Sequence, residues 1–186
     1  MSKVYVLLAD GFEEIEALTP VDMLRRAAVE VVTVSIMGRE DVNGSLGIIV
    51  KADAVLGADI ELGKMMDADM LVLPGGGKGT ENLAASGKVA EIINAFNDDK
   101  KYMAAICAAP SVYGRLGLLN GKKATCFPGF EKYLEGAEYA VGSVVRDGRF
   151  ITAKGMGAST DFALELVKVL VSEEKAGELA SKIQYR

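Results

Sequence analysis

One cysteine, a run of glycines and one glutamate stand at positions where a chain of this pattern could do chemistry. The segment Ala104-Ala105-Ile106-Cys107-Ala108-Ala109-Pro110 reads as an apolar strand that ends at Cys107 and turns at once into a helix, with Pro110 in its first turn. A sharp strand-to-helix turn presents its side chain outward, as in the nucleophile elbow of hydrolases. A helix N-terminus favours an anion, so the expected direction for the Cys107 thiol pKa is downward. The same residue types also fit a buried cysteine that merely packs. Context alone leaves the two readings open.

Two further segments follow predicted strands. Leu73-Pro74-Gly75-Gly76-Gly77-Lys78-Gly79 lets backbone N–H groups approach a ligand closely, as an anion nest or oxyanion hole; it also fits a plain loop. It lacks the spacing of a Walker loop and of a dinucleotide fingerprint. Asp10-Gly11-Phe12-Glu13-Glu14-Ile15-Glu16 puts three carboxylates at a helix start, which the macrodipole favours. Glu13 and Glu14 read as solvated. Glu16 points elsewhere on the helix, and burial there raises its pKa toward a useful acid/base range. The chain has no histidine, so a Cys-His dyad, a Ser-His-Asp triad and a His-ligated metal are all excluded. Two cysteines without a CxxC pattern make no zinc site. No metal is expected.

These segments need a scaffold that brings strand ends together. Short apolar runs at Val4–Ala9, Val31–Ile36, Met70–Leu73 and Met103–Ile106 alternate with helical patterns, the signature of βαβ units and a mostly parallel sheet. Ile48–Ala52, Ser143–Arg146 and Phe150–Ala153 add predicted strands, the last two flanking the hairpin signal Asp147-Gly148. Glu14–Ala28 carries a helical pattern interrupted by Pro20, read as a kinked helix or a turn and then a helix. Val89, Ile92, Ile93 and Phe96 mark another helix. Phe162, Ala163, Leu166, Val167 and Leu170 share one face of a third, and Ser172–Gln184 reads as a charged terminal helix. No linker or repeat interrupts the pattern, so residues 1–186 are expected to form one domain. In open α/β sheets ligands bind beyond the carboxyl ends of the strands, where all three segments should converge.

The totals narrow the partners. A length of 186 residues, half of them hydrophobic, supports a core without staples. The net charge of -5 and the lack of a basic cluster argue against nucleic acid. No apolar run approaches the roughly 20 residues that span a bilayer, and no cleavage-site pattern follows the first strand. No membrane association is expected, and the expected location is the cytoplasm.

Taken together, the three segments resemble the ThiJ/PfpI family, and within it the DJ-one branch. The resemblance runs from Ala9–Glu16 through Pro20–Ala27, Leu73–Gly76 and Ala105–Pro110 to Phe162-Ala163-Leu164. It implies a flavodoxin-like three-layer α/β/α sandwich with a mostly parallel central sheet, and a homodimer. It makes Cys107 an oxidisable nucleophile, Glu16 its protonated partner, and the amides of Gly75, Gly76 and Ala108 the oxyanion-binding groups. Arg26 matches an arginine near the site. Implied activities are cofactor-independent conversion of small reactive carbonyls, glyoxalase III-like, and deglycation of protein adducts. The alternative is a redox sensor or chaperone-like protective protein that uses the oxidisable Cys107. In Thr125-Cys126-Phe127-Pro128, Phe127 stands where many relatives carry a histidine. Peptidase chemistry, which leans on a Cys-His pair, is thereby disfavoured. Cys126 reads as structural.

Overall fold

The computed structural model describes residues 1–185. A seven-stranded sheet forms the middle layer. It contains β1 (Lys3–Leu8), β2 (Glu30–Ser35), β5 (Ala54–Val55), β6 (Met70–Leu73), β7 (Tyr102–Ile106), β10 (Val144–Asp147) and β11 (Phe150–Ala153). Their order is β10-β11-β7-β6-β1-β2-β5. Every pairing in it is parallel except β10 with β11, a hairpin in which Asp147 pairs with Phe150 and the turn is Gly148-Arg149, one residue beyond the Asp147-Gly148 signal. Small two-stranded ribbons pair β3 (Asp41–Asn43) with β4 (Ile49–Lys51) and β8 (Lys123–Ala124) with β9 (Glu138–Tyr139).

Successive strand residues face opposite sides of a sheet, and the core divides accordingly. Val4, Val6 and Leu8 pack with α1 (Glu14–Arg26), α6 (Ser159–Leu170) and α7 (Glu173–Lys182). Tyr5 and Leu7 pack with α2 (Leu62–Met65), α3 (Gly77–Ala85), α4 (Gly87–Asp98) and α5 (Pro110–Arg115). Helices thus cover both faces, and the near-continuous apolar strands follow from that burial. The predicted inner face of α6 is buried at Phe162, Ala163, Leu166 and Val167.

Three expectations are refined. Pro20 lies inside an unbroken α1, and its missing N–H leaves the Glu16 carbonyl without the usual helical donor. The predicted strand at 48–52 belongs to the β3–β4 ribbon and stays outside the main sheet. Helix α5 is six residues long and starts at Pro110, three residues beyond Cys107, because Cys107-Ala108-Ala109 is a turn.

Candidate active site

The strand order reverses between β1 and β6: the chain leaves β1 toward β2, and leaves β6 in the opposite direction toward β7. Loops that diverge at such a point leave a crevice beyond the strand ends. The segments after β1, β6, β7 and β11 all meet there.

Each segment is held by specific contacts. The Cys107 amide donates to Ala153 O (2.8 Å) and its carbonyl accepts from the Phe127 amide (2.7 Å). Cys107 has φ 64°, a left-handed conformation that costs a non-glycine residue about 1–2 kcal/mol. That rotation breaks the strand alternation, so Ile106 and Cys107 pack against the same cluster on the α1 side. Gly76, with φ 91°, lies so close to the loop after β1 that a Cβ there would overlap Gly11 O and stand 2.7 Å from Glu13 N. A Cβ on Gly75 would overlap Glu16 Oε2 and lie 2.6 Å from Cys107 Cβ. The glycine pair is therefore the wedge that lets acid and thiol face each other. Glu13 caps α1 by accepting from the Glu16 amide (2.7 Å) and donates its own amide to Gly75 O (3.0 Å). The cap fixes Glu16 in the first turn, where it is 1% exposed.

Burial pushes the Glu16 carboxyl up to about 7, against the opposing pull of Cys107 and of the Gly75 and Met156 amides. None of these satisfies Oε2, which is buried without a hydrogen-bond partner among the described residues. The oxygen is left able to carry a proton and give it away. Burial also pushes the Cys107 thiol up, to about 12, with an ionised Glu16 adding to it and the Gly76 and Ala108 amides opposing. The expected downward shift is thus corrected for the state with Glu16 ionised. The helix that was to favour the thiolate starts too late and is too short, while the sulfur is half-buried beside a carboxylate. With Glu16 protonated the neighbour is neutral and can donate to sulfur. Thiol and acid therefore form one coupled pair.

The other sequence-selected residues fall into three groups. Gly75, Gly76, Ala108 and Phe127 lie around Cys107. Arg26 does not: it ends α1, ten residues or about 15 Å of helix beyond Glu16, and pairs with Asp22 at 2.6 Å in solvent. Cys126 is fully buried and pushed up to about 12 by burial and by Glu131. Glu14, read as solvated, is buried instead and accepts from the Leu46 amide (2.8 Å) and Ser45 Oγ (3.0 Å). Met156 and Gly155 went unnoticed in the sequence. They reach the site only because β11 is the neighbour of β7, a pairing no local motif announces. Among the described residues, no three His, Cys, Asp or Glu side chains cluster to hold a metal, and no helix is long and apolar enough to cross a membrane.

Residues 2–169 match the DJ-1/PfpI family. The chain belongs to this family. It is 34% identical to the Parkinson disease protein 7 homolog of Danio rerio, covering 97% of this chain and 96% of that one. It is 36% identical to the DJ-1 homolog B of Arabidopsis thaliana, but spans only 42% of that protein's length. A protein of Pyrococcus abyssi named a deglycase is 29% identical over 90% of this chain and 99% of its own. Among solved structures, a mutant of a Salmonella typhimurium DJ-1 superfamily protein superposes with a TM-score of 0.91 at 35% identity, covering all of both chains. An oxidised DJ-1 of Toxoplasma gondii gives 0.91 at 34% identity, covering 100% of this chain and 99% of that one. The DJ-1/PfpI fold is the flavodoxin-like sandwich described above.

Proposed function

We propose that this DJ-1/PfpI protein is a cofactor-independent cysteine enzyme acting on reactive dicarbonyls or their protein adducts, of the glyoxalase III or deglycase type. The observation that carries the reading is the buried Glu16 oxygen without a partner, set against a thiol that needs a base. For a 2-oxoaldehyde, Cys107 Sγ bonds to the aldehyde carbon C1 as Glu16 carboxylate takes the thiol proton. The amides of Gly75, Gly76 and Ala108 receive the developing oxyanion, which then takes that proton from Glu16. Glu16 next removes the C1 hydrogen as a proton and returns it to C2, the hydroxyl proton passing to the C2 oxygen. C1 rises to a thioester while the C2 ketone becomes a carbinol, so oxidation and reduction balance within the substrate. Water then cleaves the thioester, giving a 2-hydroxy acid and the free thiol. Glu16 is the carboxyl that takes the thiol proton and moves the C1 proton, and no imidazole shares these roles in a chain without histidine.

Purified protein with methylglyoxal should yield lactate, and Cys107→Ala should yield none. Lactate at equal rates from both would overturn the reading. A redox-sensing or protective role uses the same residues, and the relative solved in oxidised form favours it. The raised thiol weighs on both readings alike, since attack on a carbonyl and oxidation both proceed through the thiolate. Peroxide treatment followed by mass analysis of Cys107 separates the two. The exposed Ile15, Leu18 and Ile48 support a homodimer, which light scattering would return at twice 19.7 kDa. A cytoplasmic location is part of the same proposal and is tested by cell fractionation.

A further inference from the structure

One aromatic ring, that of Phe127, stands close to the Cys107 site. Phe127 is held there by its own amide, which donates to Cys107 O at 2.7 Å. Gly155 stands between ring and sulfur: a Cβ at that position would lie 3.3 Å from Phe127 Cδ2 and 3.9 Å from Cys107 Sγ. Having no side chain, Gly155 leaves the space between the two open. Phe127 is 47% exposed, so a large apolar ring remains half in water near a nucleophile.

We infer that Phe127 is a specificity-determining residue that selects 2-oxoaldehydes carrying an aromatic group on C2, with the ring of the substrate against the ring of Phe127. The inference rests on the dicarbonyl reading above and names its substrate class. An aromatic group gains both the area it removes from water and an offset or edge-to-face contact with Phe127, whereas the methyl of methylglyoxal is too small to cover the ring. The chemistry is unchanged: sulfur bonds to C1, the C1 proton moves to C2, and water releases an aryl 2-hydroxy acid.

The test compares phenylglyoxal, giving mandelate, with methylglyoxal, giving lactate. Wild-type kcat/KM should favour phenylglyoxal at least tenfold. Phe127→Ala should bring that ratio near one, and Phe127→Tyr should keep it, with circular dichroism confirming that each variant folds. A second readout needs no turnover: alkylation of Cys107 by phenacyl chloride against chloroacetone, in which sulfur displaces chloride. Relative to a free thiol in solution, wild type should prefer the aryl reagent several-fold and Phe127→Ala should lose that preference. Neither oxoaldehyde turned over, with the alkylation preference intact, would overturn the dicarbonyl reading and leave the aryl-selective mouth standing. A turnover ratio near one with an alkylation preference no greater than that of the free thiol would overturn this inference alone.

Discussion

Glu14 and Glu16 share one turn of α1, are 5% and 1% exposed, and titrate in opposite directions. Burial acts to raise both. At Glu14 the Leu46 amide and the Ser45 hydroxyl outweigh it and hold the carboxyl below its ordinary range. At Glu16 burial wins and the carboxyl rises to about 7. Both side chains are covered, but Glu16 lies far deeper in the molecule than Glu14, and its desolvation is correspondingly larger. Hydrogen bonding widens the separation, since charge-assisted donors offset desolvation only where their geometry is met. Glu14 spends its oxygens tying the β3–β4 ribbon to α1, while Glu16 keeps one oxygen unpartnered beside Cys107.

Removing the acid function of Glu16 should cost the most activity. Glu16→Gln keeps the volume and removes the proton carrier, so turnover of a 2-oxoaldehyde should fall about 100-fold or more. Glu14→Gln should change it only a few-fold. In the wild type, kcat/KM should rise with pH through about 7 as Glu16 ionises to the base form, and that limb should vanish in Glu16→Gln. A pH profile flat from 5 to 8 in the wild type would remove Glu16 from the chemistry.

Stability gives the next contrast, with opposite signs at the two sites. Glu16 has a folded pKa of about 7 against an ordinary 4.5, so the folded state prefers it protonated. Its contribution is intact below about pH 4.5 and is lost as pH rises through 7. That loss amounts to about 3 kcal/mol for a fully buried group. Denaturant midpoints should therefore show Glu16→Gln gaining on the wild type between pH 4 and 8. Glu14 is depressed, so its contribution is present above the ordinary carboxylate range and disappears as pH falls through its folded pKa. Glu14→Gln should cost about 1–3 kcal/mol at pH 7 and progressively less in acid. The same slope for both variants would mean that the two carboxylates are equivalent.

Period and punctuation made much of this legible in the chain. Continuous apolar runs place β1, β6, β7 and β11 within a residue or so, and the Asp147-Gly148 signal gives the hairpin with its turn one residue early, since the turn is Gly148-Arg149. Cys107, Gly75 and Gly76 follow the ends of β7 and β6 within three residues, and Glu16 lies in the first turn of the helix after β1, so all are drawn to the one edge that strand ends share. What failed depended on contacts between distant segments. Glu14 is buried by the ribbon at 44–49, which no helix-local rule can anticipate. Arg26 was placed by resemblance, yet the length of α1 carries it away from the edge. The thiol is pushed up and not down because burial and the Glu16 carboxylate outweigh the Gly76 and Ala108 amides, a balance that a strand–Cys–Pro pattern does not reveal.

The carboxylate can also be read through its neighbour, the Cys107 thiol. Cys107 and Cys126 are both pushed up to about 12, chiefly by burial. Only Cys107 faces a buried carboxyl and two opposing backbone amides, those of Gly76 and Ala108. In Glu16→Gln the negative neighbour is gone while the burial and both amides remain, and the side-chain amide can donate to sulfur. The Cys107 titration should therefore move down by at least one unit, about 1.4 kcal/mol, and Cys126 should not move. Thiolate absorbance followed against pH in a Cys126→Ser background reads this directly. Glu16→Leu adds a control, since it removes the charge without supplying a donor and should lower the titration less than Gln. If Gln leaves the Cys107 titration where it was, the carboxylate does not reach the sulfur. Burial alone would then set the thiol, and Glu16 could not be the base that takes its proton.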